Sequence, residues 1–514
     1  MKKKILWIDD EADNLRSMMY FLETEGFDVE TVSNGADAIE LTKKHSYDLV
    51  FLDEYMPGMD GIETLSRIRE NSQNTPIIMV TKADDKSIID SALSERVDDY
   101  LIKPVNPLQM LATIKRIIEK KSRIKENLGR NYSSTIRRMN DLLESTQDSR
   151  VYADIHHTMS QWNLRINREM ERDLMDMHSM QKSQLNSGFS KFIYKNYRDW
   201  LRGGNAPVMS HTLLDNHVIP LLKENKKVFF ILIDCMRYDH YLLLETFLDS
   251  TFKTTLKSYY SILPTATPYS RNSIFSGMLP LEIAMKYPER WDFADSMSQN
   301  HHEEEFLRIK MRRDMAMEDI SYAKVSTNEA LNRYIQTFSR FQKNRLNVLI
   351  INIMDVFTHF RSESEILKDM LPDENSLLAF ISTWFRSSGL LDFFSHLISK
   401  ENSIVITSDH GSIISKDPLL MNTGKDVSIN LKYKFGSSIQ PQNNSIMILD
   451  SPEEFGLPVP KKSDKWYLAT GNGYLVYSTK FNQYKKEYFN TFQHGGVSME
   501  EMILPIGIIE AKNV

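Results

Sequence analysis

Three apolar runs in the second half of the chain, VFFILID ending at Asp234, VLIINIMD ending at Asp355 and SIVITSD ending at Asp409, have the pattern of buried parallel strands. Each stops at a carboxylate. In an open α/β sheet ligands bind at the carboxyl ends of the strands, so these distant acids are predicted to meet in one crevice. The amino-terminal region alternates in the same way. KILWID, YDLVFLD, PIIMVTK and DDYLIKP read as strands, with AIELTKKH and GIETLSRIRE as amphipathic helices between them. This alternation predicts a doubly wound parallel sheet over residues 1–120. Asp9, Asp10, Asp53, Thr81 and Lys103 then fall at strand carboxyl ends.

The pattern changes after Pro107. No proline follows until Pro207 and no glycine lies between Gly129 and Gly188, so nothing obliges a helix to break. Ile155, Met159, Trp162, Ile166 and Met170 recur at helical spacing. Residues 121–205 are therefore read as a helical bundle that connects two α/β domains, with Arg137 and Arg138 on its solvated face. Residues 206–514 form the larger α/β domain. Within it, residues 281–340 carry weaker strand signals and are read as an insertion or cap. The run His301, His302, Glu303, Glu304, Glu305 follows no strand and reads as a solvated helix start.

Composition narrows the classes. The chain has 514 residues, 41% hydrophobic and 26% charged, which is ordinary for a soluble protein of several domains. A net charge of −6 argues against nucleic-acid binding by bulk electrostatics. The single cysteine, Cys235, excludes an internal disulfide framework and reads as a small buried hydrophobe. The basic start MKKK leads into an apolar stretch too short for a signal peptide. No segment approaches the roughly 18 apolar residues that span a bilayer, and a cytoplasmic protein is expected.

Three carboxylates at one sheet edge repel one another unless a cation joins them, and an oxygen-rich site favours magnesium. Such an ion suits a phosphoryl group held against Asp53 as nucleophile, with Lys103 neutralising its oxygens and Thr81 reporting its arrival. The pattern of Asp9 and Asp10, D-E-Y-M-P-G-M-D-G from Asp53, Thr81 and Lys103-Pro104 resembles the receiver domain of two-component response regulators. The resemblance implies phosphorylation at Asp53, magnesium held by Asp53 and Asp10 with Asp9 or Glu11, and rearrangement of Thr81 and Tyr100. It also implies a switch toward dimerisation.

In the carboxyl-terminal domain, carboxylates and imidazoles suit zinc. A four-residue step from Asp355 to His359 presents both side chains to one ion, and Asp409 with the adjacent His410 reaches another. Two zinc ions about 4 Å apart suit phosphoester hydrolysis, one activating the attacking oxygen and one stabilising the leaving oxygen. The order Asp234, P-T-A-T, D-x-x-x-H, D-H-G and H-G-G at His494 is similar to the alkaline phosphatase superfamily, above all its PglZ-type and nucleotide pyrophosphatase/phosphodiesterase branches. On that resemblance Asp355, His359 and His494 hold one zinc. Asp234, Asp409 and His410 hold the other, beside the nucleophile. Alignment through P-T-A-T-P makes Thr267 the nucleophile, with Thr265 as its rival. Thr358 stands where the diesterase branch has glycine. Arg271 is assigned either to a phosphoryl oxygen or to an acid.

Receiver, helical connector and PglZ-type domain together resemble the PorX-type response regulators of type IX secretion in Bacteroidetes. That resemblance implies a sensor histidine kinase as phosphodonor, homodimerisation on phosphorylation, and contacts with an alternative sigma factor or a secretion-motor protein. The expected activity is a phosphorylation-controlled phosphodiesterase acting on a nucleotide or oligonucleotide. The alternative is a regulatory binding module whose zinc is structural. A DNA-binding output finds no support, since no compact helix-turn-helix or basic stripe follows the receiver.

Overall fold

A computed structural model describes residues 2–11, 15–72, 75–82, 97–146, 148–169, 172–248, 252–292, 300–338, 343–399, 401–422, 430–437, 439–441, 445–477 and 481–512. The chain divides into two compact units, residues 1–138 with 169–171, and the remainder. Among the described residues no helix is long and apolar enough to cross a membrane.

The first unit is a parallel five-stranded sheet of β1 (Lys3–Ile8), β2 (Phe27–Val32), β3 (Leu49–Asp53), β4 (Ile77–Lys82) and β5 (Asp99–Lys103), in the order β2-β1-β3-β4-β5. β2 was not among the strands read from the sequence. Its FDVETV alternates polar and apolar residues at the sheet edge, where only one face is covered. Apolar clusters fill both faces of the sheet, around Trp7, Phe51 and Ile114 on one side and Leu52, Leu65 and Ile68 on the other. Asn34 and Asp60 cap the helices α1 (Gly35–Lys44) and α2 (Gly61–Asn71), each accepting a backbone N–H three residues on.

Three long helices follow, α3 (Pro107–Ser145), α4 (Ser149–Glu169) and α5 (Arg172–Leu201). α3 runs through residue 121 without a break, so no loop marks that position. Arg137 and Arg138 are exposed, as their spacing predicts.

The second unit centres on a mixed six-stranded sheet. Its strands are β6 (Lys227–Ile233), β7 (Phe252–Tyr260), β8 (Ile320–Val325), β9 (Leu346–Ile351), β10 (Asn402–Thr407) and β11 (Ile503–Ala511), in the order β7-β11-β10-β6-β9-β8. β10, β6, β9 and β8 are parallel, whereas β11 and β7 are antiparallel to their neighbours. The three apolar runs form the central strands, buried along nearly their whole length.

Two expectations are corrected, and two strands are added. β9 stops at Ile351, so Asp355 does not end a strand but lies in the first turn of a helix, α9 (Ile353–Glu363). Residues 281–340 are not merely an insertion, because β8 completes one edge of the main sheet. β7 and β11 escaped the apolar-run criterion. β7 alternates in exposure, and β11 carries Pro505 and Gly507. Gly507 is required by contact, since a Cβ there would lie 2.0 Å from the Tyr241 hydroxyl.

Candidate functional site

Six donor side chains and one hydroxyl converge at the carboxyl ends of β6, β9 and β10. Asp234 directly follows β6, and Cys235 turns the chain with a left-handed φ of 64° while its thiol stays buried. Asp355 and His359 sit one turn apart on α9. Asp409 and His410 follow β10. Residues 413–414 pair antiparallel with 492–493, which brings His494 over His410, the rings stacked with centroids 4.0 Å apart. Gly411 makes this turn possible, because a Cβ there would lie 2.0 Å from the Glu500 carbonyl oxygen.

The donors fall into two clusters, Asp355 with His359 and His494, and Asp234 with Asp409 and His410. In the first, His359 Nε2 lies 3.2 Å from His494 Nε2 and 3.5 Å from Asp355 Oδ1, and His494 Nε2 is 3.6 Å from the same oxygen. Ligands at 2.0–2.1 Å around a tetrahedral zinc are separated by about 3.3 Å, so this spacing fits such an ion. In the second, His410 Nε2 lies 3.6 Å from Asp234 Oδ1 and 3.8 Å from Asp409 Oδ2. Three buried carboxylate oxygens, Asp234 Oδ1, Asp355 Oδ1 and Asp409 Oδ2, have no hydrogen-bond donor. Buried charge of this kind is expensive unless a cation meets it, and the donor set suits a divalent ion in each cluster. Burial pushes Asp234 up to about 7, with Asp409 adding to the rise, and raises Asp409 to about 6. Burial and Asp234 likewise raise Asp355. Burial lowers both His410 and His494. His410 Nδ1 is 3.1 Å from the Gly411 carbonyl, which can only accept, so Nε2 keeps its lone pair toward the cluster.

Thr267 opens α7 (Thr267–Ser276), the helix that follows β7, while α6 (Tyr238–Glu245) follows β6. Its hydroxyl lies 2.9 Å from His410 Nε2. The Thr265 hydroxyl is engaged with backbone instead, donating to the Gly496 carbonyl at 2.8 Å and accepting from Gly495 N–H at 3.1 Å. Thr358 directs its hydroxyl back to the Asp355 carbonyl at 2.7 Å.

Arg271 pairs with acids. It is buried, with Nη1 3.1 Å from Asp234 Oδ2 and 2.9 Å from Asn352 Oδ1, and Nε 3.1 Å from Glu303 Oε2. Glu303 departs from the solvated reading of its run, which holds for His301 and Glu305. It does begin a helix, α8 (Glu303–Met315), but it is 1% exposed and also binds Lys324 and the Tyr322 hydroxyl. Glu303 and Asn352 were both missed in the sequence. Asn352 carried a signal, standing immediately after β9, whereas nothing local marked which glutamate of the run faces inward.

In the first unit, Asp9, Asp10 and Asp53 bring their oxygens together at the sheet edge. Lys103 Nζ lies 2.8 Å from Asp53 Oδ2 and 3.0 Å from Asp9 Oδ2. Burial raises Asp53 despite this ammonium, while the bonds to Asp53 and Asp9 outweigh burial and raise Lys103. The Thr81 hydroxyl donates to Glu54, the residue after Asp53, which the sequence reading passed over. Tyr100 is exposed on β5. The Glu11 N–H donates to Asp9 Oδ1 at 2.9 Å.

Comparison with known proteins follows these divisions. Residues 5–115 match the response regulator receiver domain, residues 122–201 the PorX response regulator linker domain, and residues 213–508 the BREX system PglZ alkaline phosphatase-like domain. Curated relatives include the transcriptional regulatory protein SrrA of Staphylococcus aureus strains NCTC 8325 and COL, each 34% identical over 120 residues, or 23% of this chain and 49% of the relative. The chain thus spans about half the length of those relatives. Similar solved structures include Vibrio cholerae CheY4, 28% identical, covering 23% of this chain and 99% of its own with a TM-score of 0.22. Another is a Clostridium difficile two-component response regulator, 34% identical, with coverages of 23% and 97% and a TM-score of 0.22. The PglZ match takes in more than half of the residues, and with the other two it makes the chain a member of the PglZ alkaline phosphatase-like family in its PorX-type form, a response regulator whose receiver and linker precede that domain.

Proposed function

We propose that the chain is a phosphorylation-controlled, zinc-dependent phosphoester hydrolase with Asp53 as phosphoacceptor and Thr267 as nucleophile. The observation that carries this reading is the Thr267 hydroxyl, 2.9 Å from His410 Nε2 beside two clusters of carboxylate and imidazole donors. Asp355, His359 and His494 hold one zinc, and Asp234, Asp409 and His410 hold the other. Zinc there supplies charge neutralisation at the phosphoryl group and a lowered pKa for the attacking oxygen. The Thr267 oxygen bonds to phosphorus as its proton passes to solvent, the bond from phosphorus to the ester oxygen breaks, and the leaving alkoxide takes a proton from water. Water then splits the phosphothreonine and restores the hydroxyl. The positive end of the helix that Thr267 opens favours the phosphoryl charge.

A diester, such as a nucleotide or oligonucleotide, is the preferred substrate class. It carries one charge fewer than a monoester, and Arg271 is committed to Asp234, Glu303 and Asn352 rather than to that extra charge. In the receiver, Asp9, Asp10 and Asp53 hold magnesium, Lys103 meets the phosphoryl oxygens, and Thr81 with Tyr100 rearranges. The chain acts in the cytoplasm in type IX secretion signalling. A sensor histidine kinase phosphorylates it, a homodimer forms, and the output reaches an alternative sigma factor or a secretion-motor protein.

Turnover of a chromogenic diester and monoester by purified protein, with and without zinc, tests the reading. Zinc-loaded wild type is expected to cleave the diester faster, and Thr267→Ala to lose at least about 100-fold in kcat while keeping its zinc. Full turnover by Thr267→Ala would remove the nucleophile assignment. Zinc bound without cleavage of either ester would leave a regulatory binding module.

A further inference from the structure

The linker helices are hydrogen-bonded to the segments that carry the candidate site. Arg237 stands three residues beyond Asp234, buried, with Nε 3.0 Å from Asp239 Oδ1 and Nη1 3.0 Å from Glu374 Oε1. Each of those acids is shared with a linker helix. Asn163 of α4 donates to Asp239 Oδ2 at 2.7 Å, and Lys182 of α5 donates to Glu374 Oε2 at 2.7 Å. Arg237 is thereby clamped from both helices.

Three further bonds join α5 to neighbouring segments. Asn186 donates to Glu500 Oε2 and accepts from the Met499 N–H, both at 2.8 Å. The backbone at Glu500 is the one that Gly411 packs against, directly after His410. Leu263 N–H donates to the Tyr197 hydroxyl at 2.9 Å, four residues before Thr267. The loops bearing Asp234, Thr267 and the Asp409–His410 pair are therefore all tied to the linker. Asn163 and Asn186 are buried, as are Arg237 and Asp239. Buried polar groups of this kind add little net stability over apolar packing, but they fix one register.

We propose that Asn163, Lys182 and Asn186 are positioning residues for the proposed hydrolysis, setting through Asp239, Glu374 and Glu500 the loops that carry Asp234, Thr267, Asp409 and His410. The proposal rests on the hydrolase reading for its kinetic consequence. The linker is then part of the catalytic machinery rather than a spacer, and a change in how its helices pack changes turnover.

The test uses the full chain with Lys182→Met, Asn186→Ala, the milder Asn163→Ser and the conservative Lys182→Arg. Zinc retention against a chelator, kcat and KM on a chromogenic diester, and the thermal midpoint are measured together. Lys182→Met and Asn186→Ala are expected to lower kcat about 10-fold or more at little changed KM, as loss of an interaction that matters in the transition state requires. Lys182→Arg should restore most of it, which a loss of folding stability alone would not predict. Should the stronger variants fold poorly, Asn163→Ser decides the matter, a lower kcat or faster zinc loss at an unchanged thermal midpoint supporting the proposal and wild-type values overturning it. Wild-type kcat and zinc retention in every folded variant would overturn the proposal. If zinc-loaded wild type cleaves nothing, the hydrolase reading fails by itself. Zinc retention then decides the clamp, with faster loss from Lys182→Met and Asn186→Ala supporting it and equal loss overturning it.

Discussion

Glu303 illustrates how far a single side chain acts from the donors. One of its carboxylate oxygens meets Arg271 Nε at 3.1 Å, and Arg271 Nη1 reaches Asp234 Oδ2 at the same distance. Removing the charge of Glu303 leaves a buried guanidinium to be balanced by the donor carboxylates alone. Glu303→Gln is therefore expected to weaken zinc binding by about 10- to 100-fold, in the manner of a lost outer-shell partner. Lys324, partly exposed on the far side of Glu303, serves as the contrast, and Lys324→Ala should change affinity by less than about 3-fold. Calorimetric titration of the two variants separates them. Equal affinity in Glu303→Gln and wild type would show that Arg271 holds its place without the glutamate. The sequence placed Glu303 at a helix start correctly. It gave no sign of the inward face, because that depends on α8 packing against the helix of Thr267.

At the scale of elements, the helices of the second unit bury imidazoles in the neutral form. Burial lowers His156 on α4 to about 3 and His240 on α6 to about 4. An unfolded histidine titrates near about 6.5. Between these values the unfolded chain binds more protons than the folded one. The contribution of these histidines to stability is therefore complete above about pH 6.5 and falls as pH drops toward 4, by up to about 1.4 kcal/mol per pH unit for each such group. Urea unfolding of the full chain over pH 4–7.5 carries this slope together with the opposite one from Asp234 and Asp409, whose raised values make the folded chain bind more protons, so the histidine part is read from the difference between wild type and a variant. His156 packs edge-on against Tyr238, so His156→Phe keeps the shape and should flatten the slope by about one proton. An unchanged slope would place the acid sensitivity elsewhere. The helical period predicted a stripe of Ile155, Met159, Trp162, Ile166 and Met170; the first four are buried, and Met170 lies outside the described residues. Which polar residues share that burial followed from the partner surface.

For the whole molecule, the expected signal is a change of assembly. Lys103 already binds Asp53 and Asp9, while the Thr81 hydroxyl is held by Glu54. A phosphoryl group on Asp53 adds acceptor oxygens that compete for both. Beryllofluoride with magnesium should shift the mass of the wild-type chain from monomer to dimer by light scattering, and Asp53→Ala should remain a monomer. A dimer in Asp53→Ala that still responds to the reagent would detach assembly from this aspartate.

Periodicity and strand-end chemistry indicated an α/β domain, a helical connector and a larger α/β domain, while the receiver and the order of acids and imidazoles in the two candidate sites came from resemblance to known families. Those features are local, since a strand end or a helical stripe is written in neighbouring residues. The antiparallel β7 and β11, the strand nature of residues 320–325, the helical position of Asp355 and the inward turn of Glu303 came only with the tertiary structure. So did the engagement of the Thr265 hydroxyl with backbone and the ties from Asn163, Lys182 and Asn186 to the site loops. Each of these depends on which surface packs against which, and partners distant in sequence leave no mark in the residues beside them.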